Sequence, residues 1–149
     1  MPKVTYTPAQ GLVQSAGSGV SFGGSQFVGA TQKVNATTKT LTLADSGCVL
    51  IPTAGAAQTF TLPSVTTAAG FCVTLVAGSA QAHVINGGGT KIQGVNYNNG
   101  GAAAFQRAAI SNKSSLTLAT PAIGDYITVV GDGTNYYVYS WTNAALTLA

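Results

Sequence analysis

The 149-residue sequence contains no glutamate, three aspartates, one histidine and two cysteines. Only 6 % of its residues are charged, against about 25 % in an ordinary globular chain. An enzyme needs an acid, base or nucleophile converging on one point, and the candidates here are His83, Asp45, Asp125 and Asp132. Each aspartate lies beside glycine or serine in a predicted turn, where its ordinary work is to hold local backbone N–H groups. His83 on an alternating strand reads as a satisfied or surface histidine. Cys48, Cys72 and His83 lack zinc-ligand spacing. No catalytic residue, metal site or cofactor is therefore expected.

Other absences narrow the class further. No apolar run reaches the length of about 18 residues that a membrane helix needs, and Met1 to Gln10 lacks the charged-then-apolar pattern of a secretory leader. Neither membrane insertion nor classical export is expected. The six cations, Lys3, Lys33, Lys39, Lys91, Arg107 and Lys113, are scattered and give a net charge of +3, which disfavours nucleic-acid binding and leaves room for weak attraction to an acidic surface. The glycine clusters at 17–24 and 87–89 match neither a dinucleotide fingerprint nor a phosphate loop. Asn35-Ala36-Thr37 and Asn112-Lys113-Ser114 match glycosylation triplets, as an asparagine- and threonine-rich chain does by chance. Cys48 and Cys72 each sit in an apolar strand-like run, so buried thiols are expected rather than a disulfide.

Threonine, valine, glycine and asparagine fill the sequence instead, and they favour short strands joined by tight turns. Residues 1–30 break every apolar pair with glycine or serine and show no sustained period, which predicts an extended arm whose isolated anchors Val4, Tyr6, Leu12, Val13, Val20, Phe22 and Phe27 are the candidate docking residues for a partner. Residues 31–149 alternate as a β domain. Strands are predicted through Leu41 and Leu43, Cys48 to Ile51, Gln58 to Leu62, Phe71 to Val76, Ala82 to Ile85 and Leu116 to Leu118. Asn86 to Gly101 reads as a loop or protruding tip, and Ala102 to Ile110 fits a short helix or a strand equally well. The clearest hairpin runs from Tyr126 to Val130, turns through Gly131-Asp132-Gly133, and returns from Tyr136 to Trp141. Its aromatics Tyr136, Tyr137, Tyr139 and Trp141 are the candidate partner or receptor face. Ala144 to Leu148 is expected to add an edge strand or to exchange with another subunit.

Leu43-Ala44-Asp45-Ser46-Gly47-Cys48-Val49-Leu50, Phe60-Thr61-Leu62-Pro63 and Gly70-Phe71-Cys72-Val73-Thr74-Leu75-Val76, followed by Val84-Ile85-Asn86, Lys91-Ile92-Gln93-Gly94 and Gly124 to Val138, resemble a β module of bacteriophage head-decoration and tail-fibre proteins. The resemblance covers residues 40–141. It implies a jelly-roll-like β-sandwich or barrel, with about eight to ten short antiparallel strands by their spacing. It further implies a virion structural protein that trimerises on the capsid surface after assembly in the host cytoplasm, with the major capsid protein as partner and the arm anchors as the candidate capsid-docking residues. The two cysteines and the long arm depart from the usual pattern. The low charge removes a usual guard against association, which agrees with self-assembly. The competing expectation is a receptor- or glycan-binding module, with sugar rings stacked on the tyrosine-rich hairpin.

Overall fold

The computed structural model describes residues 31–99 and 105–149 throughout and, within the first thirty residues, only the backbone of four short strands. These are β1 (Val4–Thr7), antiparallel to β2 (Gly11–Gln14), and β3 (Ser21–Phe22), antiparallel to β4 (Ser25–Gln26). Neither pair joins the two large sheets. Val4 and Tyr6 fall on β1, Leu12 and Val13 on β2, and Phe22 on β3. Val20, Phe27 and the side-chain surroundings of all seven anchors lie outside the described residues.

From Thr31 the chain is all-β. It alternates between a seven-stranded and a five-stranded mixed sheet that share one apolar core. β5 (Thr31–Val34), β7 (Val49–Pro52) and β9 (Cys72–Val76) lie parallel in the larger sheet. β6 (Thr38–Thr40), β8 (Gln58–Thr61) and β10 (His83–Asn86) lie parallel in the smaller one. The chain therefore winds through three coils, each giving one strand to each sheet. Strands of three to five residues cannot fold back usefully on themselves, and crossing to the opposite sheet buries the inner side of each immediately.

The second half closes the sandwich. β11 (Ile92–Asn98) and the antiparallel β12 (Gln106–Lys113) form the far edge of the larger sheet. β13 (Ser115–Leu118) crosses to the smaller sheet, antiparallel to β10. The hairpin of β14 (Tyr126–Gly131) and β15 (Tyr136–Thr142) fills the gap between β9 and β11, and β16 (Thr147–Leu148) is an edge strand on β13. The larger sheet thus runs β12-β11-β15-β14-β9-β7-β5.

Two connections show how local chemistry sets this path. Gln58 is fully buried; its Nε2 donates to the Val34 and Ala36 carbonyls at 2.9 and 2.8 Å, and its Oε1 accepts the Ala54 N–H at 3.3 Å. One side chain so satisfies the corner between β5 and β6. Asn112 stands in the left-handed region at φ 51° where the chain leaves one sheet for the other, a conformation that asparagine tolerates better than most residues.

Several expectations change. The ladders are mixed, not antiparallel throughout: the first three coils are parallel in both sheets, a pairing that strand patterning alone does not reveal. The predicted strand through Leu43 stops early. The Asp45 carboxylate accepts the Thr42 N–H at 2.8 Å and the Thr42 hydroxyl at 3.1 Å, closing a 3₁₀ turn over Leu43–Asp45 that leaves Leu43 exposed. Asn86 to Gly101 is no protruding tip over most of its described length, because β11 runs through it as an interior strand. Gln106 to Lys113 is strand rather than helix; residues 102–104 lie outside the described residues. Cys48 and Cys72 are thiols, as expected, and Cys48 is buried, but Cys72 is only half-buried.

Gly94 makes β11 possible. It sits at a register shift with φ 142°, and a Cβ there would overlap the Val138 carbonyl oxygen. Gly94→Ala is expected to lower stability by roughly 2–3 kcal/mol, since the overlap is with backbone that cannot rotate away; denaturant unfolding at constant m-value measures it.

Candidate functional site

Strand alternation assigns the hairpin residues to two faces. Tyr136, Val138, Ser140 and Thr142 point inward, and Tyr137, Tyr139 and Trp141 point outward. Tyr136 therefore does not belong to the candidate face. It is fully buried, its ring edge-on to Phe71 at 6.5 Å, and its hydroxyl donates to the Pro63 carbonyl at 2.6 Å. Burial also raises its phenol pKa above the ordinary 10.0.

The outward residues are part of a wider surface. Arg107, Tyr97, Trp141, Tyr126 and Val76 are successive cross-strand neighbours on β12, β11, β15, β14 and β9, forming one row across the larger sheet. Phe105, 65 % exposed, leans on this row with its ring centre 5.0 Å from that of Trp141, and the Tyr97 ring lies 6.3 Å from Trp141. The next row carries Tyr139, 56 % exposed, beside Thr128, whose hydroxyl shares a 3.0 Å hydrogen bond with that of Thr74. Tyr97 and Phe105 were missed in the sequence because one lies among asparagines and glycines and the other beside an alanine run.

Beneath this row the interior is polar. Asn96 faces Ser140 and Asn98 faces Thr142, all four buried, where the inner face elsewhere carries leucine, isoleucine and valine. The Ser140 hydroxyl donates to Asn96 Oδ1 at 2.8 Å, and the Thr142 hydroxyl donates to the Ala144 carbonyl at 2.6 Å. Asn96 Nδ2 and Asn98 Oδ1 have no hydrogen-bond partner. This end of the sheet is inverted, with amides and hydroxyls inside and aromatic rings outside. A buried unpaired amide costs about 1–3 kcal/mol, so the arrangement lowers the stability of the isolated sandwich.

The residues weighed for catalysis stay apart in role. The Asp125 carboxylate accepts the Ala122 and Asn143 N–H groups, both at 3.0 Å, and that of Asp132 accepts Thr134 and Asn135 N–H groups, both at 2.7 Å. Asp45 pairs with Lys39 at 2.9 Å. Burial alone would raise the Asp45 carboxyl, but the Thr42 N–H, Lys39 and the Thr42 hydroxyl together hold it below 3.8. The backbone amides of Asn135 and Thr134 lower Asp132 in the same way. His83 is neither satisfied nor at the surface: it is wholly buried and neither ring nitrogen makes a hydrogen bond of good geometry. Burial lowers its pKa below 6.5, outweighing the backbone of Ser79 and Ala82, which favours the charged form. Among the described residues, no three His, Cys, Asp or Glu side chains gather in a group that could hold a metal ion.

Two outcomes follow for the variants. Tyr136→Ala is expected to cost about 3–5 kcal/mol and Trp141→Ala less than about 1 kcal/mol, because only the first opens a core cavity; paired unfolding curves separate them. Folded His83 binds its proton below 6.5, so the unfolded chain holds more protons just under that pH. Stability is then complete above about pH 6.5 and falls as the pH drops towards the folded value, whereas the Asp45 contribution is lost only below about 3.8. His83→Leu should flatten the upper window and leave the lower one, as read by thermal melts across pH.

No protein-family model matches the chain, and no curated protein matches it either.

Proposed function

We propose that this chain is a structural subunit of a virus particle, a decoration or cement protein that assembles with copies of itself, as a trimer, and bridges subunits of the major capsid protein on the virion surface. The observation that carries the assembly half is the inverted sheet end: half-exposed Tyr97, Tyr126 and Trp141 stand in one row while amides are buried behind them. Large exposed apolar patches on soluble chains mark contact surfaces, and this chain has few charges to keep copies apart. The particle context is supported by the strand-and-turn resemblance over residues 40–141. The arm adds apolar anchors suited to an apolar groove on a neighbouring subunit of the particle. Apolar burial contributes about 25 cal/mol per Å², which opposes the cost of ordering each arm, and repetition of the contact by symmetry adds avidity across the particle.

Arg107 directly opposite Tyr97 favours a second reading, a glycan platform in which the rings stack on sugars and the guanidinium holds an acidic group. Retention on a glycan array, abolished by Arg107→Ala, is its signature.

Native mass spectrometry with and without empty capsids tests the leading reading. A self-associated chain that adds mass to capsids is expected, with Trp141→Ala weakening association by about 2 kcal/mol or more, roughly thirtyfold in Kd, as for a buried aromatic anchor. A monomer that ignores capsids at all working concentrations overturns it.

A further inference from the structure

We infer that the inverted aromatic end of one subunit is the seat for the arm, residues 1–30, of the next copy of this chain. The inference rests on the assembly reading and names the occupant of the same site.

Three observations on different parts of the molecule meet here. The first is an open surface of defined chemistry. Tyr97, Phe105, Tyr126 and Trp141 are exposed in the single chain, and the charged group in their row is the cation Arg107. An apolar segment suits the four rings, and one without cations of its own meets no repulsion from Arg107. The arm is one: from residue 4 to residue 30 it holds Val4, Tyr6, Leu12, Val13, Val20, Phe22 and Phe27 and no charged side chain.

The second is that the arm's backbone needs a support. Its two ladders, β1 with β2 and β3 with β4, contain two strands each and pair with neither large sheet. Isolated two-stranded ladders are marginal in water and gain stability by lying on a surface. Register sets Tyr6 opposite Leu12 in the first ladder, and residues directly opposite share a face of the pair.

The third is direction. The arm departs at Thr31, the start of β5, which is one edge of the seven-stranded sheet, and the aromatic row is concentrated near the other edge, on β11, β15 and β14. With strands about 4.8 Å apart, the two features are roughly 19 Å apart within one subunit. With both ladders kept, the ten connecting residues 15–20 and 27–30 still span up to about 35 Å when extended, more than the separation within one subunit and enough to reach a neighbour. A contact from one edge of a subunit to the opposite edge of its neighbour is head-to-tail, and such contacts close into rings when the rotation allows. The arm-to-face contact therefore supplies cyclic assembly with no change to either large sheet.

Cross-linking the full chain tests this. Phe22 is replaced by p-benzoylphenylalanine, equal amounts of unlabelled and ¹⁵N-labelled chains are mixed and left to exchange, and the irradiated mixture is digested with trypsin. The expected product joins light to heavy chains, linking the peptide that carries position 22 to peptide 92–107 or 114–149, and is lost in the Tyr97→Ala, Trp141→Ala double variant. Links found only within single-isotope chains, or links to surfaces away from the aromatic row, overturn the inference. Native mass recorded on the same sample separates the two levels: an oligomer without arm-to-face links sinks the inference and leaves the assembly reading standing, whereas a monomer removes both.

Discussion

The contact between the inner faces of the two sheets is the interaction on which the rest of the structure depends. Leu50, Phe60, Leu75, Ile85, Leu116, Leu118, Ile127, Val129 and Val138 are all nearly or wholly buried in one cluster with Phe71, and they come from strands of both sheets. No strand of four or five residues buries enough apolar area alone, so each must lie against the opposite sheet as soon as it forms. That requirement explains why the first three coils alternate between sheets, and why their neighbours within a sheet are parallel. It also explains the fixed corners. Where the chain changes sheets, buried backbone groups need partners, and Gln58 and the left-handed Asn112 supply a partner and a turn at two such places.

The same constraint isolates the titratable groups. A chain with this few carboxylates uses them as backbone caps at Thr42, Ala122, Asn143, Thr134 and Asn135. His83 lies directly opposite Gln58 and Leu118 in its sheet and faces the core. Its neutral form is the one the interior tolerates. The expected loss of stability in acid is thus a by-product of packing an imidazole where the neighbouring strands supply no acceptor.

The all-β class, most strand positions and the 126–141 hairpin were legible because period-2 alternation and glycine turns report them directly. Parallel pairing was not, since a strand's sequence does not name its neighbour. β11 was hidden because Asn96, Asn98 and Gly94 are poor strand residues that tertiary context overrides. The 3₁₀ turn after Leu41 depended on Asp45 reaching back three residues to Thr42. The candidate face was legible in part: Tyr137, Tyr139 and Trp141 stand outward, but Tyr136 belongs to the core.

That last error has a physical origin with consequences for function. In β15 the outward set is Tyr137, Tyr139 and Trp141, and the inward set ends in Ser140 and Thr142. Hydrophobicity alone would turn this end of the strand the other way. The inward phase is fixed farther along by Tyr136 and Val138, which the core holds completely, and a pleated strand cannot change phase without a bulge. The sheet therefore carries its aromatic residues to the outside as a consequence of where its core begins, and the parallel neighbour β11 repeats the pattern with Asn96 and Asn98 inside and Tyr97 outside. Two adjacent strands inverted in register impose a cost twice, in unpaired buried amides and in exposed rings. An apolar partner on the outer face offsets the second part of that cost, which is the thermodynamic reason for expecting this end of the sandwich to be covered in the working assembly.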